Sequence, residues 1–399
     1  MAAGPRALSL PSALRAGAAA ARTTGANGEA RMSETKQGRR DFGKLALGGA
    51  LGAAALLTGE HGAQAAVHNS QPGIKLCGQG GAKPTDDELK FWRQIGCGYL
   101  SVASTPDLRT ADGFKQIKKR YADAGITVWN IGNTSVHNMP QVTLNLPGRD
   151  KKIEEYKQYL RNLGEAGIYY TTYAHMGNGI WSSGRAQIRG AEAREFDLNS
   201  PNKVGVWDGV EYREPLSHGR VFTQEEIWEN FTWFIRQVAP VAEEAGVRIG
   251  IHPDDPPVPV LAGVPRCIFA NFDGYRKAMQ IANSPNVGIC LCCGTWLEGG
   301  KALTGKDPEE MIRYFGAEKI WKIHFRNVSA PLPHFVETFM DNGYYDMYKI
   351  MKALRDVNFD GIVILDHTPG LQGGHYTEQA YGFAYMKALY NRANAEARA

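Results

Sequence analysis

The 399-residue chain carries 45 Lys/Arg against 41 Asp/Glu, and the whole excess of four positive charges falls within residues 1–66. The remainder is electroneutral, which excludes the basic footprint that nucleic-acid binding requires. A hydrophobic content of 43% suits one large folded domain rather than a disordered or fibrous chain.

Residues 1–31 are rich in Ala, Arg and Gly without an apolar period, and Met32 is an alternative start. Arg39-Arg40-Asp41-Phe42 then precedes an apolar, small-residue run from Leu45 to Leu57, followed by Ala63-Gln64-Ala65. A charged region, a short apolar run and a small-residue cleavage site form a twin-arginine export signal. The run is too short and too weakly apolar for the roughly 20 residues of a spanning helix. The expectation is an exported, periplasmic protein with a signal over 1–66 and a single domain over 67–399.

Short β-branched or aromatic runs then alternate with helical patterns. The expected strands are 73–77, 98–103, 126–131, 168–173, 247–252, 287–292, 320–325 and 361–366. "PTDDELKFWRQIG" opens on a capping box from Thr85 to Glu88, and "FTQEEIWENFTWFIRQVAPVAEEAG" on another from Thr223 to Glu226. "DPEEMIRYFG", "YYDMYKIMKALRD" and "EQAYGFAYMKALYNR" supply further helices. Eight strands, each followed by helix, is the count of a (β/α)8 TIM barrel. The segment 176–221 follows the fourth strand, so in a barrel it is an insertion on the catalytic face, expected to act as a lid or substrate-binding excursion. "GKALTGKD" imitates a phosphate loop, but Asp307 stands where Ser/Thr would hold magnesium and no strand feeds into it.

In such a barrel the C-terminal ends of the strands converge on one mouth. The fifth strand ends at His252, in "IHPDDPP"; the sixth ends at Cys292, the seventh near His324 and the eighth at Asp366. Nitrogen, sulfur and oxygen donors at one level on four successive strands suit a divalent metal. Each has a plain alternative: a structural histidine, a buried thiol acting as a small hydrophobe, a capping aspartate. The six cysteines of an exported chain would first suggest disulfides. Three of them crowd one strand, however, so at least one thiol has another role.

The run "FTQEEIWENF…APVAEEAGVRIGIHPDDPP…GVPR" closely resembles that of mannonate dehydratases, and "LCCGT", "HFRNV", "YYDMYKIMKAL" and "LDH" fall where that family has its later motifs. "TSVHNMP" and "YLRNLGEAGI" match more loosely, and the resemblance spans about Leu76 to Tyr390. It implies a xylose-isomerase-like TIM barrel, with manganese or a similar ion (Fe2+, Co2+ or Zn2+). It also implies dehydration of D-mannonate to 2-keto-3-deoxy-D-gluconate. The implied metal ligands are His252, Cys292, His324 and Asp366, with His367 as a catalytic histidine. The family also uses a tyrosine beyond this motif. Here "HTPGLQGGHYTEQAYG" departs from the pattern, and Tyr376 is the choice, with Tyr381 and His375 as alternatives.

Arg326 shares a strand face with His324 and is expected either to clamp the substrate carboxylate or to serve a structural ion pair. His137 is expected to contact substrate. Asp254 and Asp255 read as turn formers first, and Cys290 and Cys293 as packing residues. The expected partner is a small sugar acid, with self-association left open. A sugar isomerase or epimerase on the same barrel, and a non-catalytic carbohydrate-binding protein, are the alternatives.

Overall fold

The computed structural model describes residues 72–398. The export signal expected over 1–66 lies outside the described residues. Eight parallel strands form the barrel: β1 (Lys75–Gly81), β2 (Tyr99–Ala103), β3 (Thr127–Gly132), β4 (Tyr170–Ala174), β5 (Arg248–His252), β6 (Val287–Cys292), β7 (Ile320–His324) and β8 (Ile362–Ile364). Their order around the sheet is β3-β2-β1-β8-β7-β6-β5-β4. The β3–β4 seam is packed without a continuous ladder, so the barrel is nearly closed. All eight strands expected from sequence are present, with ends shifted by a few residues.

The helices begin where local chemistry starts them. Thr85 and Thr223 each cap a helix (Asp86–Gln94 and Gln224–Glu244), with Glu88 and Glu226 completing the capping boxes. A side-chain oxygen satisfies an otherwise orphaned N–H of the first turn, and the glutamate returns the bond to the cap's own N–H. Pro308–Lys319, Met347–Asp356 and His375–Glu396 are the other helices read from sequence.

Two register shifts shape the barrel interior. Leu100 and Ser101 pair with Val128 and Asn130, and Ile289 and Cys290 pair with Ile320 and Lys322. Trp129 and Trp321 are therefore extra residues, as in a β-bulge, which re-aims a side chain. They join Cys77, Tyr170, Ile362 and Ile364 in an apolar cluster separate from the main core. That cluster plugs the barrel below its mouth, with Lys75 and Arg248 packed on its tryptophan rings.

The insertion after β4 is not a loose excursion. It contains the strands Ile180–Ser182, Gly184–Ile188, Ala191–Asp197, Val204–Trp207 and Val210–Arg213. Ala191–Asp197 pairs antiparallel with His334–Thr338, in the segment after β7. The insertion is thus stitched to another loop of the catalytic face. Among the described residues no helix is long and apolar enough to cross a membrane. All six cysteines are free, which corrects the disulfide expectation.

Candidate active site and metal centre

His252 and His324 are the last residues of β5 and β7, and Cys292 is the last residue of β6. Because these strands are parallel and in register, with Cys292 opposite His324, their ends reach the mouth at one level. One ligand atom from each of the three lies within 4.8 Å of the others, and all three side chains are buried. Asp366 follows β8 with φ 69°, in the left-handed region that Asp tolerates better than most residues. Its carboxylate lies 3.2 Å from His324 Nδ1 and 3.7 Å from Cys292 Sγ. The structure therefore brings the four sequence-predicted ligands together.

Their chemistry fits a divalent cation. His252 Nδ1 is 2.7 Å from the Pro253 carbonyl, which fixes that nitrogen as the donor and leaves Nε2 as a free lone pair. Burial, then the neighbouring His324, lowers the His252 pKa to about 3, so the ring is neutral. His324 Nδ1 is buried without a hydrogen-bond partner, beside a carboxylate. A buried nitrogen facing an anion suits a shared cation. A proton serves the same contact, since burial lowers the His324 pKa but Cys290 and Asp366 outweigh it and raise it. Cys292 caps the helix Cys293–Thr304, its sulfur accepting from the Thr295 N–H at 3.4 Å. Burial raises its thiol pKa, and Arg326, 3.7 Å away, opposes that rise. For Asp366, burial works against ionisation, but His324, His367 and Arg326 outweigh it and hold the carboxyl well below the usual range.

His367 stands beside this cluster with its ring half exposed. Its Nδ1 is 2.9 Å from Glu337 Oε2, and its Nε2 is 3.5 Å from Asp366 Oδ2. A carboxylate on one ring nitrogen orients the imidazole, and the other nitrogen, also 3.4 Å from Arg326 Nη1, is turned toward the metal cluster. Burial opposes protonation of His367, but Glu337 and then Asp366 reverse this and raise its pKa.

Arg326 is not available to a substrate. It is 1% exposed, and its guanidinium meets Glu298 at 2.9 Å, Asp255 at 3.4 Å, Asp366 at 3.4 Å and Glu337. Arg194 from the insertion enters the same cluster, 2.7 Å from Asp255, 2.6 Å from Glu298 and 2.8 Å from Glu337. The expected carboxylate clamp is corrected to a buried ion network, because protein carboxylates already fill the fork. Burial and then Asp255 raise Glu298 to about 8, against the opposing pull of Arg194 and Arg326. Gly294 is what admits Arg326: a Cβ there would overlap the guanidinium.

Asp255 thus does more than form a turn. It is the strand-end anchor of this network, and it also accepts from Thr295 Oγ1 at 3.0 Å. Cys293 packs in the core as expected, whereas Cys290 does not simply pack. Standing two residues before Cys292, it shares that residue's face, and its sulfur is 3.4 Å from His324 Nε2. Tyr376 is not brought to the cluster. Its hydroxyl bonds Glu88 and its ring packs on Phe91 and Trp92, because the helix it begins leans on Asp86–Gln94. Tyr381 bonds Asp341, and His375 Nε2 lies 3.1 Å from the Gln79 carbonyl. His137 does reach the mouth, with Nδ1 2.9 Å from the Thr172 carbonyl and its ring stacked on Trp207 of the insertion.

Sequence reasoning did not single out Arg194, Glu298, Glu337 or Lys322. Lys322 and Glu337 have one sequence signal, a charged residue within an otherwise apolar stretch, in "IWKIHF" and "HFVETF"; Arg194, in "AEAREFD", has none.

Residues 100–396 match the family model described as D-mannonate dehydratase (UxuA). The chain belongs to the mannonate dehydratase family. A mannonate dehydratase of Thermotoga neapolitana is 31% identical over 312 residues, covering 70% of this chain and 81% of that protein. The crystal structure of mannonate dehydratase from Streptococcus suis serotype 2 superposes with a TM-score of 0.69 at 25% identity, covering 82% of this chain and 95% of that one. A xylose isomerase domain protein from Planctomyces limnophilus, at 13% identity and a TM-score of 0.52, covers 82% of this chain and 99% of its own, and shares the fold. The mannonate dehydratase family assignment makes the chain a hydro-lyase of sugar acids.

Proposed function

We propose that the protein dehydrates D-mannonate to 2-keto-3-deoxy-D-gluconate and water, using a divalent ion held by His252, Cys292, His324 and Asp366. The convergence of those four side chains at one level of the mouth, in a mannonate dehydratase chain, carries this reading. Manganese is the ion we favour, since a hydroxy acid offers hard oxygen donors. When bound, such an ion stabilises the negative charge that develops as a proton leaves the carbon next to the carboxylate.

The elimination breaks a C–H bond at C2 and a C–O bond at C3, and forms the C2–C3 double bond of an enol. The enol then takes a proton at C3, loses the one on its C2 oxygen and becomes the 2-keto acid. Protons leave C2 and the enol oxygen and arrive at the departing hydroxyl and at C3, and His367 Nε2 serves one of these transfers, held in orientation by Glu337 through Nδ1. The Arg194–Arg326 network keeps Glu337 ionised: burial alone would raise its pKa, but His367 and the two arginines bring it to about 2. The twin-arginine pattern suggests that this chemistry serves an exported protein.

Purified protein supplied with manganese and D-mannonate should release a 2-keto acid, detected with semicarbazide, and chelation should abolish the release. A protein that instead interconverts ketoses, leaving mannonate untouched, would overturn the reading.

A further inference from the structure

With Arg326 occupied by protein carboxylates, the acid end of a sugar acid needs another cation. Lys322 lies on β7 two residues before His324, so its side chain enters the barrel on the same face, one layer below the metal cluster. Its ammonium crosses the lumen, 3.4 Å from Ser101 Oγ on β2 and 3.5 Å from Thr172 Oγ1 on β4. Those strands lie three places from β7 on either side, so the charge sits near the barrel axis. Lys322 is 5% exposed, and no carboxylate among the described residues forms an ion pair with it. Cys77, Cys290 and His137 are among the titratable groups that feel its charge.

A buried ammonium held by two hydroxyls at the long end of hydrogen-bonding range costs stability, because its lost hydration is not replaced. Such a group persists where a ligand supplies the missing partner. Lys322 retains 5% exposure, while Cys290 and Cys292 on the same face retain none. His252 and His324 retain 9% exposure and Thr172 7%, against 0% for Ile249, Leu291 and Ile323 on the opposite strand face. Below it the Trp129–Trp321 plug closes the barrel, so an anion can come only from above.

We infer that Lys322 is the carboxylate-binding residue of this site, receiving the acid group of the substrate beneath the metal cluster. Substrate then enters acid end first. The acid group lies between the ammonium and the ring of His252, Cys292, His324 and Asp366. The hydroxylated chain points out past His367 toward His137 and Trp207. The inference rests on the sugar-acid reading, deepening it by assigning the recognition element and the direction of entry.

Calorimetric titration of the manganese-loaded protein with the 3-deoxy analogue of D-mannonate, which lacks the leaving hydroxyl, and with its neutral primary amide tests this. Wild type should prefer the carboxylate at least tenfold. Lys322→Met should lose at least tenfold in carboxylate affinity while its amide affinity changes less than twofold, and Lys322→Arg should recover part of the loss. Ligand-free Lys322→Met should also melt at a higher temperature than wild type, since an unpaired buried charge is gone. Lys322→Gln repeats the titration should the methionine variant not fold. Undiminished carboxylate affinity in the neutral variants, or a lower melting temperature, would overturn the inference. Keto-acid release by wild type is measured in parallel. Lysine-dependent carboxylate binding without any release would uphold the subsite and remove D-mannonate as its occupant.

Discussion

His367 illustrates how position rather than residue type makes a functional group. Glu337 fixes one ring nitrogen at 2.9 Å and half of the side chain stays exposed, while the other nitrogen faces Asp366 and Arg326 beside the metal cluster. His367→Asn keeps a polar group of similar reach but exchanges no proton. Its kcat should fall by about 10²–10⁴-fold, the usual contribution of a general acid or base. A half-exposed ring is no core element, so the melting temperature should stay within a few degrees of wild type. Unchanged kcat would remove His367 from the chemistry. His252, Cys292, His324 and Asp366 were legible because strand ends are legible: each closes a β-branched run whose length a reader can count. Arg326 was left open between a substrate clamp and a structural ion pair for the opposite reason. Spacing from His324 gave its face correctly, but its occupancy depends on Glu298 and Glu337, at positions that carry no spacing relation to it in a single sequence.

At the level of elements, the insertion after β4 was the part that local pattern could not resolve. Its strands are short, glycine-punctuated and half exposed, and Ala191–Asp197 becomes a strand by pairing with His334–Thr338, about 140 residues on. Tertiary pairing decides such segments, not propensity. The barrel strands and the capped helices were recovered because their signals lie within a single window of sequence. Arg194 ties the insertion to Asp255, Glu298 and Glu337, so the insertion is a fixed wall of the site and not a lid. Arg194→Met leaves these buried acids with Arg326 alone. The expected cost is about 3 kcal/mol of stability, within the range for removing one partner of a buried pair. The measurement is urea unfolding. A variant as stable as wild type, with full activity, would show that the network does not hold the wall.

Across the molecule, two neutral imidazoles outside the four ligands, the buried His175 and the partly buried His137, set a pH response. Burial lowers His175 to about 3, its ring set among Phe231, Phe234 and Phe269, and burial with Lys322 lowers His137 to about 4. An unfolded histidine titrates near 6.5, so below that pH the unfolded chain binds protons the folded one refuses. Stability is therefore fully present above about pH 6.5 and falls as pH drops toward about 4. Each group contributes a loss of about 2 kcal/mol by pH 5. His175→Phe, compatible with its aromatic surroundings, should show a shallower decline between pH 7 and 5 than wild type. Parallel declines in the two proteins would mean that His175 charges in the folded state.

The central claim is that four side chains far apart in sequence hold one divalent ion at the barrel mouth of a dehydratase. Anomalous diffraction from crystals grown with manganese, collected on both sides of the manganese absorption edge, tests it most directly. The account predicts one dominant peak within bonding distance of His252 Nε2, Cys292 Sγ, a ring nitrogen of His324 and the Asp366 carboxylate. A dominant peak elsewhere, or no peak in a protein that still turns over D-mannonate, would contradict it.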